Sequence, residues 1–229
     1  MVNRGIARLT VAVQGGRTVV VDRYSQAPLQ IHRPLYLEDN NFPTVFLRSP
    51  SSGLLDGDIH DLDVEVADYA TLELRTQGAM LVYPGVSEQH LRITIGKGSS
   101  LQFLPHPLIL AQGAELSQSI RIRMACDSRL LFQEWWISGR LAMGEAWQFR
   151  KFSNSIEIFE DDKLRFLERW SIDPSKDNLT SPIICGGEKS FKTVFAFDME
   201  PSEAKETERS KRYSFKRGRG TLTRTLYQC

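Results

Sequence analysis

The sequence predicts an all-β protein, a β-helix or solenoid-like stack of strand–turn–strand repeats with a short helical or disordered C-terminal end. Three observations support this fold class. Apolar and polar residues alternate along short segments, as in half-buried strands. One alternating pattern recurs at a fixed spacing, and strong helical periodicity is absent before residue 198. We therefore divide the chain into a β domain at residues 1–200 and a charged C-terminal tail at 201–229.

The repeat has the form apolar-x-apolar, five residues, apolar-x-apolar. The three best copies start at Val64, Ile93 and Ile122, each 29 residues after the one before. A fourth starts at Ile156, 34 residues later, and a weaker first copy starts at Val11. Glycine or aspartate occurs in each five-residue gap, as expected of a tight turn. Each copy predicts two strands, and stacked copies would bury their apolar faces on one another.

Composition excludes several protein classes. The chain has 229 residues, a formal net charge of +1 and 41% hydrophobic residues, which excludes wholesale disorder. No apolar run approaches the ~18 residues of a membrane span, and the alternating N-terminal segment does not resemble a signal peptide. The three cysteines, Cys126, Cys185 and Cys229, are far apart and form no CxxC. We therefore expect no disulfide or zinc framework and a cytoplasmic location.

The C-terminal tail is basic, whereas the body is acidic. Seven Lys or Arg and no acidic residue occur from Arg209 onward, which leaves 22 basic and 28 acidic residues before it. A β-rich binder of nucleic acid or of an acidic partner through this tail is therefore an alternative function, and a solvated end is the simpler interpretation. The best helix candidate is the polar segment Pro201–Ser210.

Common catalytic signatures are missing. The sequence has no GxxxxGK[ST], GxSxG, HExxH or GxGxxG motif. Its four histidines occur singly, so their spacing does not predict a preformed transition-metal site. We therefore expect no catalytic residue and no permanently bound cofactor. A carbohydrate-active β-solenoid with paired acids is a distant third possibility.

Two glutamates occupy one position of the repeat. Glu134 and Glu168 each lie four residues after the first leucine of a second strand, on the side of the buried residues. If the copies were neighbouring rungs, the two carboxyls would lie roughly 5–10 Å apart inside the protein. Buried acids are costly unless they are protonated, hydrogen-bonded, hydrated or bound to a cation. In the alternative, which the residues alone slightly favour, the strands end before these positions and both glutamates turn outward.

A second acidic cluster lies near residue 60. Asp61, Asp63 and Glu65 alternate with apolar residues and should line one solvated strand face. Asp58 differs, because it follows Gly57 at a turn. It is a candidate for a fixed structural or cation-facing role.

Five segments in order resemble one known family. They are Pro50-Ser-Ser-Gly-Leu-Leu-Asp-Gly-Asp58, Arg75-Thr-Gln-Gly-Ala79 with Val82-Tyr83, Leu101-Gln-Phe-Leu-Pro-His-Pro107, Gly139-Arg-Leu-Ala-Met-Gly-Glu145 and Leu167-Glu-Arg169. This order is similar to that of the UreD/UreH urease accessory proteins, with PxGGxxGGD, TTQxxxKxY, LPxPxI, GRxxxGE and LxER. The similarity covers about residues 6–198 and implies a β-helix-like stack with helices near the C-terminus.

The resemblance implies a non-enzymatic scaffold that joins UreF and the GTPase UreG to apo-urease, with nickel in transit through a polar tunnel. Carried over by motif, the candidate nickel-path residues are Asp58, Glu134, Glu145 and Glu168. Membrane and nucleic-acid partners are not implied. Carboxylate oxygens suit transit, because several weak hydrated sites let an ion move on.

The sequence departs from the family pattern in several places. GGD is Asp56-Gly57-Asp58, and Leu81 replaces the Lys before Tyr83. Two other departures matter more. Arg75 replaces the first Thr of TTQ and puts a positive charge near the expected cation path, unless it points outward or pairs with an acid. Apolar patterning is lost at about residue 200, where family members continue with an apolar helical region. We interpret the end as either divergent or replaced through a reading-frame change, and the loss of apolar patterning favours the second. In the family this region helps dock UreF, so the change bears on UreF docking.

Overall fold

The computed structural model describes residues 3–37, 41–51, 53–181, 184–199, 210–214 and 220–227. Strands dominate, and no α-helix occurs in these ranges, which confirms the all-β prediction. The strands are β1 (Asn3–Gln14), β2 (Arg17–Gln26), β3 (Gln30–Ile31), β4 (Thr44–Arg48), β5 (Gly53–Leu54), β6 (Asp58–Val66), β7 (Thr71–Thr76), β8 (Met80–Val82), β9 (Gly85–Ile95), β10 (Ser100–Leu104), β11 (Leu108–Leu110), β12 (Ala114–Met124), β13 (Arg129–Ile137), β14 (Lys151–Glu160), β15 (Lys163–Ile172), β16 (Ser190–Phe197), β17 (Ser210–Ser214) and β18 (Gly220–Tyr227). A short 3₁₀ helix, Leu141–Met143, follows β13.

The strands form two mixed sheets. The first sheet has the order β15-β14-β12-β9-β6-β1-β2. The second has the order β17-β18-β16-β13-β10-β7-β4-β3, and the short strands β5, β8 and β11 pair beside it. In both sheets the central strands are parallel, whereas antiparallel pairs occur towards the ends.

The 29-residue spacing is the register of the parallel strands. In the first sheet Val64 pairs with Ile93, and Ile93 pairs with Ile122. In the second sheet Leu72 pairs with Leu101. Each of the three best copies therefore gives its first strand to the first sheet and its second strand to the second sheet, with the predicted spacing.

The first and fourth copies behave differently. Their second strands, β2 and β15, fold back as antiparallel hairpins within the first sheet. In the fourth copy Ile122 pairs with Ile158 and not with Ile156, so the offset is two residues larger than the sequence pattern suggested. Both sheets are open, and they do not establish a β-helix or solenoid-like stack of all five copies.

The main core lies between the two sheets. Inward residues of β6, β9 and β12 pack against those of β7, β10 and β13, and Leu9, Leu72, Leu101 and Ile122 are at most 1% exposed. A second apolar cluster surrounds Trp136, whose ring stacks on Phe191 with centroids 4.1 Å apart. These two cores fix the spacing of the sheets and hence the position of the polar groups between them.

The prediction of a helical or disordered C-terminal end is wrong for residues 210–214 and 220–227. These residues form β17 and β18, and β18 pairs with β16 over eight residues. Strand β13 pairs with only one edge of β16. The alternating segment after Gly220 forms β18 along the other edge and so satisfies the backbone N–H and C=O groups there. Almost all of the helix candidate Pro201–Ser210 lies outside the described residues. The division at residue 200 stays a prediction.

Candidate functional site: a polar row and a cavity between the sheets

Four polar side chains line up across the inner face of the first sheet. His60, Gln89, Gln118 and Asn154 are paired in register on β6, β9, β12 and β14. All except Gln89 are nearly inaccessible to solvent. We call these four residues the polar row. Neighbouring strands lie about 4.8 Å apart, so the row crosses roughly 14 Å of the interior.

Glu134 faces the polar row from the second sheet. It lies on β13, is 5% exposed, and its Oε1 accepts hydrogen bonds from Gln118 Nε2 at 2.9 Å and Asn154 Nδ2 at 2.6 Å. These two bonds join the sheets through polar groups inside an otherwise apolar core.

Glu168 lies on β15 and is held by the C-terminal strand. Arg224 Nη2 on β18 donates to both carboxylate oxygens of Glu168, at 2.7 and 2.9 Å, and Arg224 Nε donates to Thr193 Oγ1 at 3.3 Å. At least one basic residue of the tail is therefore engaged by the body of the protein.

The pKa of Glu134 is raised to about 8, chiefly because burial disfavours the charged carboxylate. The negative charge of Glu168 raises it further. The positive charge of Arg224 and the hydrogen bonds from Asn154 and Gln118 act in the opposite direction. At neutral pH the Glu134 carboxyl is therefore mostly protonated.

The structure brings Glu134 and Glu168 into electrostatic contact, but not as neighbouring rungs. They come from opposite sheets, because the fourth copy folds back on β14 and does not cross to the second sheet. The alternative that both glutamates turn outward is wrong for Glu134. The Glu168 side chain is partly exposed.

Asp58 and Glu145 already have partners of their own, although Asp58 lies near His60 of the polar row. Asp58 is buried, and its Oδ2 accepts the Leu55 backbone N–H at 2.9 Å, which closes the turn before β6. Glu145 forms a two-bond pair with Arg140, one bond measuring 2.6 Å, and this pair lowers the pKa of its carboxyl. Neither carboxylate bonds to the polar row, so the geometry unites two of the four predicted residues.

Arg75 and Asp61, the other charged residues singled out in the sequence, are each paired with opposite charges. Arg75 is exposed and donates to Glu73 at 2.6 Å, so its charge is compensated by an acid. Asp61 was expected to be solvated, but it is buried beneath Arg4 and Arg92, with Arg4 Nε at 2.6 Å. Asp61 and its two arginines belong to the outer face of the first sheet.

A cavity of about 280 Å³ opens between the sheets. Its exposed rim includes Gln77 and His106, and Glu134 and Gln118 lie at its buried end. Glu134 thus lines a space that also borders the exposed residues Gln77 and His106. In the described part of the chain, no three His, Cys, Asp or Glu side chains cluster to hold a metal ion. The described residues also include no helix able to span a membrane.

Comparison with known proteins identifies the family. The sequence matches the family described as UreD urease accessory protein over residues 3–224. It is 32% identical over 200 residues to the urease accessory protein UreD of Cenarchaeum symbiosum (strain A), covering 84% of this chain and 69% of that protein. The chain belongs to the UreD family.

Other UreD relatives are matched over less of their length. Urease accessory protein UreD 2 of Synechococcus sp. (strain JA-3-3Ab) is 39% identical over 156 residues, 68% of this chain and 56% of that protein. Urease accessory protein UreH of Helicobacter acinonychis (strain Sheeba) is 26% identical over 175 residues, 75% and 66% respectively. The chain spans little more than half the length of the first of these.

In this UreD family member, sequence reasoning missed Gln118, Asn154 and Arg224. A signal for part of the row existed, because His60, Gln89 and Gln118 are themselves 29 residues apart. The family match extends to residue 224 and therefore includes most of β18. This strand lies within the segment that the sequence analysis interpreted as a divergent tail.

Proposed function

We propose that the protein serves urease maturation as a non-enzymatic scaffold and chaperone that passes nickel along its interior. The observation that carries the proposal is the buried Glu134, hydrogen-bonded to Gln118 and Asn154 of the polar row beside Glu168. A buried row of amides and carboxyls is expensive in an apolar core, and a function in cation transit explains why it is kept.

The chemistry of the row suits passage better than storage. Amide and carboxyl oxygens are hard, weak ligands for nickel, and closely spaced weak sites let an ion move from one to the next. An approaching dication favours the charged form of a carboxyl. Glu134 would therefore release its proton as nickel arrives and regain it as nickel leaves.

The scaffold part of the proposal follows the family. We place the protein in the cytoplasm, in a complex with UreF, UreG and apo-urease, with nickel as cargo and no resident cofactor. The 29-residue register of the central strands supports a β-helix-like stack as the rigid frame of this path. Asp58 and Glu145 remain proposed as outer members of the path.

The test is urease activation by a Glu134→Gln/Glu168→Gln variant. The amide oxygen introduced at position 134 can still accept the bonds from Gln118 and Asn154, so the fold should persist while the two carboxylate ligands are lost. In a urease-producing host without its own UreD protein, we expect intact co-purification with UreF, UreG and apo-urease. Urease activity should fall severalfold at limiting nickel and recover with excess nickel.

Glu65→Gln is the matched control, because Glu65 lies on β6 but is exposed. It should activate urease like the wild type across the nickel titration. Full activation by the double variant at limiting nickel would refute the path. Loss of soluble protein or of the complex would instead assign the two glutamates a structural role.

A further inference from the structure

Among the described residues, one arginine without an ion-pair partner lines the cavity between the sheets. Arg48, the last residue of β4, is partly buried, and its Nε is shielded from solvent without a hydrogen-bond acceptor. Shielding a guanidinium N–H from water without a hydrogen-bond acceptor is costly, so such a group in a concave site favours an anionic ligand.

The surroundings of Arg48 form a polar rim. Gln77 follows β7, and its backbone N–H donates to Leu47 O at 2.9 Å, which places it beside Arg48. His106 follows β10, and its N–H donates to Thr76 Oγ1 at 2.8 Å. The ends of three neighbouring strands thus bring Arg48, Gln77 and His106 to one side of the opening.

Beyond the rim the cavity is mainly apolar. Leu62, Leu91 and Ile120 line it from the first sheet, and Phe103 and Phe132 line it from the second. A volume of about 280 Å³ is at the lower limit of ligand pockets, so it suits a small molecule. Inorganic oxyanions have no apolar part that would match these walls.

We propose that this cavity binds a small carboxylic acid with an apolar chain, its carboxylate on Arg48 and its chain between the sheets. Arg48 supplies the planar donors that fit a carboxylate. The positive charge of Arg48 opposes the entry of a cation into the same cavity. A bound carboxylate would neutralise that charge.

The test measures binding of straight-chain carboxylates, acetate to decanoate, to the full chain without metal, by isothermal titration calorimetry. If the chain enters the cavity, affinity should rise about fourfold per methylene until the cavity is full. Arg48→Gln should weaken the best ligand at least tenfold, whereas Arg129→Gln, at an exposed position at the start of β13, should leave it unchanged. The uncharged amide of the best ligand should bind at least tenfold more weakly than the acid.

Three results would overturn the proposal. They are equal affinity for all chain lengths, unchanged binding to a folded Arg48→Gln variant, or binding of inorganic phosphate in preference to every carboxylate. If Arg48→Gln does not fold, the chain-length series and the amide on the wild type still decide. No nickel or urease enters this assay, so its failure is distinguishable from failure of the proposed nickel path.

Discussion

His60 is the least compensated residue of the polar row. It is 1% exposed, and neither ring nitrogen has a hydrogen-bond partner in the described structure. Burial lowers its pKa to about 4, although the nearby Asp58 and Asp61 carboxylates act to raise it. The ring is therefore neutral in the folded protein at every pH above about 5, while an unfolded chain would charge it near pH 6.5.

This difference predicts a pH dependence of stability. Because the folded pKa is depressed, the unfolded state binds more protons between pH 6.5 and 4, and stability falls as the pH is lowered through that window. The loss attributable to His60 is up to about 3 kcal/mol. His60→Leu should abolish this loss, so that the free energy of unfolding depends less on pH. Urea unfolding at pH 7 and pH 4.5 measures the difference in the free energy of unfolding between the two pH values. His106→Gln is the control, because His106 is exposed, and it should show the wild-type difference. If His60→Leu kept the wild-type difference, His60 would not be the source of the pH dependence.

At the scale of elements, the turn between β4 and β6 depends on a close backbone approach. A Cβ on Gly53 would lie 1.8 Å from the carbonyl oxygen of Leu81, on the strand that pairs with β5. The first family motif therefore contains a glycine whose neighbour is backbone and cannot move aside cheaply.

We expect Gly53→Ala to cost at least about 2 kcal/mol of stability, because the new methyl group separates β5 from β8. Gly78→Ala is the matched control, since nothing lies within 4 Å of its added Cβ, and its effect should stay within roughly ±0.5 kcal/mol. Urea midpoints of both variants decide. Equal midpoints would show that β5 and β8 can shift apart freely.

The elements also show what a sequence pattern can resolve. The 29-residue period predicted the register of the central strands, because parallel neighbours repeat the same inward positions. It could not show that β2 and β15 fold back, since a hairpin and a crossover have the same period-two alternation. Parity put Glu134 on the inward side of its strand, but the residues alone could not show that the strand continues past Phe132 and slightly favoured the outward alternative. The bond from Arg224 to Glu168 spans 56 residues of chain and has no periodic signal.

Across the whole protein, three of the four candidate nickel-path acids are already bonded to neighbouring groups. Asp58 accepts the Leu55 N–H, Glu145 pairs with Arg140, and Glu168 pairs with Arg224. The fourth candidate, Glu134, is mostly protonated at neutral pH. A nickel ion must compete with each of these partners, so the isolated chain should hold nickel weakly even if the assembled complex passes it on.

We therefore expect the isolated chain to bind Ni²⁺ no tighter than roughly micromolar, about −8 kcal/mol, at pH 7. Arg224→Met should tighten binding, because it frees the Glu168 carboxylate beside Glu134 and removes a repelling charge. Arg121→Met is the control, since Arg121 pairs with Glu157 through an exposed side chain. Equilibrium dialysis measures all three proteins. Sub-micromolar one-to-one binding by the wild type would mean that these acids exchange their partners for nickel readily, and that the protein stores the ion as well as conducting it.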